Sequence, residues 1–234
     1  MIAIVLFMGA VAAVAGWWLS RQGLASKPWL NEGVAADIPG ASGPTLPVAK
    51  IGLGVFLAVV GSLFALLVSA YSMRMQATDW QPLPVPVLLW SNTGLLILSS
   101  ISLEWARAAA RRGAMDDVRA GLVVGGVSAL AFLVGQLLAW RQLDAAGYFL
   151  AANPANSFFY LITAVHGLHV LGGLVALGRT TARAWMVPAA SHLRLSVDLC
   201  AFYWHFLLAV WLVLFAMLAG WAGDFIVICR QLVT

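Results

Sequence analysis

Six apolar runs, each about as long as a bilayer's hydrocarbon core is thick, constrain this chain more than any other feature. They cover roughly Met1–Leu19, Ile51–Tyr71, Val87–Trp105, Ala120–Trp140, Ser157–Gly178 and Val197–Trp221. Breakers separate them: Pro28, Pro39, Pro44 and Pro47, then Pro82, Pro84 and Pro86, then Asn153–Pro154, then Pro188. Only 9% of the 234 residues are charged, against about a quarter in a soluble domain. Mean hydropathy is +0.93. With so few charges the chain cannot solvate its own surface, so its solvent is lipid. There every backbone N–H and C=O must be paired internally, which leaves helices or a closed barrel. Long continuous runs, in place of short alternating strands, select helices. The expected fold is all-α, a polytopic transmembrane bundle of about six helices.

The positive charges test this parse independently. Arg21, Lys27 and Lys50 follow the first run, and Arg74 alone follows the second. Arg107, Arg111, Arg112 and Arg119 follow the third, and Arg141 follows the fourth. Arg179, Arg183 and Arg194 come next, and Arg230 lies in the tail. The alternation 3, 1, 4, 1, 3, 1 puts ten on one side and three on the other. Positive loops stay cytoplasmic, so both termini are predicted on the side away from the cytoplasm. The same placement removes nucleic acid as a partner, because the net charge of +4 sits in loops. Met1–Leu19 lacks a positive n-region and has its positive residues after it, which predicts a retained helix and not a signal peptide. Residues 20–49 read as a tether, 50–222 as a five-helix core and 223–234 as a short tail. Cys200 and Cys229 have neither the CxxC spacing of a metal or redox site nor the even framework of a secreted domain.

Patterns within the runs nominate particular residues. Gly54, Ala58, Gly61 and Ala65 recur at helical spacing, and small residues let another helix approach closely in lipid. They are either a docking face for a partner subunit or a packing face within the bundle. Gly121 and Gly125 give the same cue more weakly. Thr93, Ser100 and Glu104 share a face of the third run, with Asn92 and Ser99 beside it. Glu104 is expected near the cytoplasmic end, in reach of Arg107 at i+3. His166, His169 and Gly173 share a face of the fifth run, and Asp198 and His205 share one of the sixth. Polar groups in a bilayer need partners, so these are expected to face the bundle interior. Metal or haem ligation, a proton path, a lipid head-group site and interhelical hydrogen bonding are all open to them. Trp80, Trp140 and Trp221 sit where aromatic rings anchor at head groups, whereas Trp204 and Trp211 lie deeper, as packing residues.

Three segments carry a resemblance. His166 to Gly173, HGLHVLGG, resembles the HGxHVxxG signature of subunit III of the haem–copper oxidases. Asp198 to Trp211, DLCAFYWHFLLAVW, is similar to that family's ExxxxYWHFxDxVW, and Asn92 to Ser100 to its NTxxLxxSS helix. The similarity runs from Ile51 to about Gly220 with its motifs in order. It implies a subunit that binds no haem or copper of its own, those centres being held by partner subunits I and II. It also implies that the chain stabilises subunit I, supports proton uptake and holds phospholipid in a cleft. Three departures stand out. Val60 occupies the place of a mid-membrane glutamate, Leu208 that of the aspartate in YWHFxDxVW, and Asp198 that of a glutamate. The resemblance leaves open a quinol oxidase or a nitric oxide reductase-type complex. A secondary transporter would need broken helices and an internal repeat, neither of which is seen.

Overall fold

The computed structural model describes residues 48–220 except 187, 188, 190 and 192. The run Met1–Leu19, the tether up to residue 47, the last two core residues including Trp221, and the tail 223–234 with Cys229 lie outside the described residues. The chain separates into two compact units between Gly52 and Leu53. Val48–Gly52 are the described part of the first unit, and the helical bundle belongs to the second. Five helices are described: α1 (Val48–Arg74), α2 (Leu88–Arg112), α3 (Met115–Ala145), α4 (Pro154–Met186) and α5 (Arg194–Leu218).

Local chemistry sets the helix ends. Gly113, with φ +82°, caps α2 in the left-handed conformation that a side chain disfavours. The turn that results is two residues long, and it makes α2 and α3 antiparallel neighbours. Asn153–Pro154, a breaker in the sequence, starts α4: the Asn153 side chain accepts the Ala155 N–H at 3.1 Å. Proline occupies the first helical position, where no N–H is needed.

α2, α3, α4 and α5 form a closed ring in which α2 packs on α3, α3 on α4, α4 on α5 and α5 back on α2. The core of the ring holds Leu89, Leu96, Leu103, Phe132, Phe159, Trp204 and Trp211, each 2% exposed or less. The closest pair is α2–α3, and glycines explain it. A Cβ built on Gly121 would lie 2.8 Å from both the Ala106 Cβ and the Ser102 carbonyl oxygen. One on Gly125 would lie 3.0 Å from Leu103, and one on Gly135 would overlap the Asn92 amide. α1 packs from outside the ring through a second cluster, in which Val60, Phe64 and Tyr71 meet Ile162 of α4 and Leu214 and Met217 of α5.

Four of the helices, α1, α3, α4 and α5, are long and apolar enough to cross a membrane. α2 has 25 residues, enough to span, but it carries the bundle's polar load. Its Asn92, Thr93, Ser99, Ser100 and Ser102 are all buried, and Glu104, Arg107, Arg111 and Arg112 crowd its last turns. Those side chains lower its hydropathy without exposing it to lipid on the ring side.

Candidate functional site

The polar side chains form two groups. The first is a set of bonds within the ring, most of them buried. Asn92 Nδ2 donates to Gln136 Oε1 at 2.8 Å between α2 and α3. Thr93 Oγ1 accepts the Trp211 Nε1–H of α5 at 2.9 Å while donating to the Leu89 carbonyl at 2.8 Å. Ser99 donates to the Gly125 carbonyl at 2.7 Å, and Trp140 Nε1 donates to Thr163 at 3.0 Å. His166, fully buried, has its Nε2 at 3.2 Å from the Leu207 carbonyl. Its ring is packed among Phe132, Trp211 and Phe64, with centroids 5.7, 5.0 and 6.2 Å away. Each of these residues is tied to another helix or to its own backbone, as hydrocarbon requires.

The second group is an ionic chain on the seam between α2 and α5. Ser100 Oγ and His205 Nδ1 lie 2.5 Å apart, and His205 Nε2 lies 3.1 Å from Glu104 Oε2. A carboxylate only accepts, so Nε2 donates to Glu104, and Nδ1 shares the second bond with the Ser100 hydroxyl. Glu104 also pairs with Arg107 Nη1 at 3.2 Å. Arg107 Nε in turn reaches Asp198 Oδ1 at 2.9 Å, with Arg111 3.9 Å from the same oxygen.

The arginine-rich loops meet at that end of the bundle. Arg119 donates to the Ala184 carbonyl at 3.0 Å, and Arg194 to those of Ala110 and Arg111 at 3.2 and 3.3 Å. So the 107–119 and 179–194 arginine groups lie at one end, as their alternation in the sequence demands. At the other end Asn153 donates to the Gln81 carbonyl at 2.7 Å, and Arg74 clasps Asp79 with a bond of 2.6 Å. That contact holds the Asp79 carboxyl below its ordinary range.

These positions refine the expectations from sequence. Glu104 does meet Arg107, and Trp204 is fully buried. Asp198 and His205 share a helix face yet take different partners, Arg107 and Glu104. His205 keeps 39% of its side chain exposed on the seam, so it does not lie inside the bundle. The His169 ring has its Nδ1 2.8 Å from the Val165 carbonyl of its own helix and lies tilted 5.4 Å from Phe64, while its backbone carbonyl accepts from Tyr203 of α5 at 2.9 Å. Along α1, Gly54 is buried, Gly61 and Ala65 are half-buried and Ala58 is exposed. The close approach of helices is made instead by Gly121, Gly125 and Gly135 of α3 and Gly173 of α4. Sequence patterns did not single out Gln136 or the Asp198–Arg107 bond. A lone amide in an apolar run was the only signal for the first, and nothing local signals the second.

The family signature for cytochrome c oxidase subunit III matches residues 54–223, nearly all of the described bundle. The chain belongs to the cytochrome c oxidase subunit III family. Among curated relatives, a probable cytochrome c oxidase subunit 3 of Mycobacterium tuberculosis is 32% identical over 176 residues, 73% of this chain and 87% of the relative. That of Nocardia farcinica is 28% identical over 174 residues, 72% and 86% respectively. The sea urchin Strongylocentrotus purpuratus has a longer subunit, 31% identical over 150 residues, of which this chain spans 54%.

As a subunit III, the chain is a multi-pass membrane protein of an oxidase complex with other subunits. The subunit III motifs fall on the features described above. NTxxLxxSS supplies Asn92, Thr93, Ser99 and Ser100 on α2, and HGxHVxxG supplies His166 on α4. Gly173 of the same motif lies where a Cβ would come within 2.6 Å of the Tyr203 ring. YWHF supplies Trp204 and His205.

Proposed function

We propose that this chain is a non-redox subunit III of a respiratory cytochrome c oxidase. It stabilises catalytic subunit I, supports proton uptake there and holds phospholipid, while haem and copper sit in subunits I and II. The observation that carries this reading is that the subunit III signature spans residues 54–223, with its motif side chains bonded mainly within the chain. The histidines expected from the motifs, His166, His169 and His205, each have a ring nitrogen committed to a carbonyl, a hydroxyl or a carboxylate. His166 ties α4 to α5 and His205 ties α5 to α2, whereas the His169 ring bonds within α4. The ionic chain from His205 to Asp198 lies at the arginine-rich end, which the positive-inside rule assigns to the cytoplasm, the side from which pumped protons come. Both termini then face the other side.

A quinol oxidase or a nitric oxide reductase-type complex is the second reading, since the motifs of this subunit do not identify the electron donor. The test is co-purification in mild detergent. The expected result is a complex with haem absorbance and a partner bearing a dinuclear copper motif. A haem complex without that motif selects the second reading, and a chain isolated without any haem-bearing partner overturns both.

A further inference from the structure

A groove of about 770 Å³ opens between the last turns of α3 and the first turns of α4, at the end opposite the arginine-rich loops. That volume falls within the range of about 300–1,000 Å³ that holds small ligands. Its walls are fixed by bonds to the bundle. Trp140 Nε1 donates to Thr163 at 3.0 Å, the Tyr160 hydroxyl to the Tyr148 carbonyl at 3.0 Å, and Ser157 to the Leu150 carbonyl at 2.6 Å. The Trp140 and Tyr160 rings meet edge to face, with centroids 5.8 Å apart. From Ser157 to Ala164 the groove follows α4 for about 10 Å, at 1.5 Å per residue. The Trp140–Thr163 bond sets its register: Asp144 and Ser157 lie toward the helix ends, Leu161 and Ala164 toward the membrane interior. The inner stretch is apolar, and Arg141 and Asp144 supply the charge.

Those two charges indicate what fits. Elsewhere in the bundle arginines and acids pair: Arg74 with Asp79, Arg119 with Asp116, Arg107 with Glu104 and Asp198. Arg141 and Asp144 are exposed, and neither forms an ion pair among the described residues. Three apart on a helix, their Cβ atoms are neighbours at about 5–6 Å. The groove therefore offers a cation and an anion side by side. A purely anionic head group would meet the carboxylate as well as the guanidinium and be repelled. A head group with an ammonium on a short link beyond its phosphate satisfies both. Its phosphate accepts from the Arg141 guanidinium, and its ammonium donates to the Asp144 carboxylate. Its acyl chain then lies along Leu161, Ala164 and the Trp140 ring. Tryptophan and tyrosine at a helix end mark the level at which a bilayer presents its head groups.

We propose that the α3–α4 groove binds a zwitterionic phospholipid of the phosphatidylethanolamine type, its head group held between Arg141 and Asp144. The proposal rests on the part of the proposed function that has the chain hold phospholipid. The test offers the purified chain, with whatever subunits accompany it in mild detergent, equal amounts of phosphatidylethanolamine and phosphatidylglycerol. Native mass spectrometry counts the lipid retained. The parent should retain phosphatidylethanolamine in preference. Asp144→Asn should lower that retention by about two- to five-fold, what an exposed ion pair contributes, and shift the preference toward phosphatidylglycerol. Arg141→Gln should weaken retention of both lipids, as should Leu161→Trp, which fills the groove. Arg74→Gln, at the same end of the bundle, should change neither. Equal retention of the two lipids by the parent overturns the proposal. So does lipid that Arg141→Gln and Leu161→Trp leave in place, which then sits elsewhere on the chain. A photo-crosslinking residue at Leu161 that joins another protein in the intact complex overturns it too. A parent that retains no phospholipid at all removes that part of the proposed function as well.

Discussion

Asn92 and Gln136 meet across the α2–α3 interface, 2.8 Å apart, with 1% and 3% of their residues exposed. Beneath them Gly135 has no side chain, and the Asn92 amide fills the space that one would take. This amide pair ties the two closest helices at a level where neither water nor lipid offers a substitute. Gln136→Leu, leaving Asn92 without that acceptor, should destabilise the bundle. A double-mutant cycle with Asn92→Ala should give a coupling of about 0.6–1.7 kcal/mol, the range of interhelical hydrogen bonds in membranes. Unfolding in mixed detergent micelles measures it, and a coupling indistinguishable from zero would mean that the pair does not hold α2 to α3.

Gly121→Ala should cost more than any other single methyl group on α3 outside Gly135. Its Cβ would press at 2.8 Å on the backbone oxygen of Ser102 and on Ala106, neither of which can swing aside. Overpacking of this kind costs about 1–3 kcal/mol. Gly94→Ala, with nothing within 4 Å, should be neutral or gain about 0.5–1 kcal/mol from helix propensity. Thermal unfolding of the two variants side by side checks the contrast.

Asp198→Asn weakens the bond to Arg107, and His205→Ala leaves Ser100 and Glu104 without the ring between them. Both variants should lower the yield of assembled oxidase several-fold. Turnover of the complexes that do assemble should stay near that of the parent. Haem content per membrane protein, set beside oxygen consumption per haem, separates the two quantities. Normal assembly with lost turnover would give these residues a part in the reaction.

The purified chain alone should show no Soret band. His166 has one nitrogen at the Leu207 carbonyl and a ring walled in by Phe132 and Trp211, so a haem edge could reach it only by displacing the core. A haem band abolished by His166→Ala or His205→Ala would contradict this.

The membrane class, the helical architecture and the grouping of arginines at one end were all legible along the chain. Each depends on residues near one another in sequence: apolar length, breakers and loop charge. The motifs naming the family are local too. Which small residues bring helices together was not legible. Gly54–Ala65 and Gly121–Gly135 both carry small residues at helical spacing, and only the placement of neighbours shows that the second stripe receives Ser102, Ala106 and Asn92.

Partner choice is the clearest case of what tertiary structure alone decided. The order of residues shows Asp198 and His205 to be two turns apart on one face. It does not show that α2 lays Arg107 against one and Glu104 against the other, over sequence separations of 91 and 101 residues. Apolar length and loop charge act through the solvent, which every residue meets independently. Hydrogen bonds between helices act over about 3 Å, so they exist only once the ring has closed.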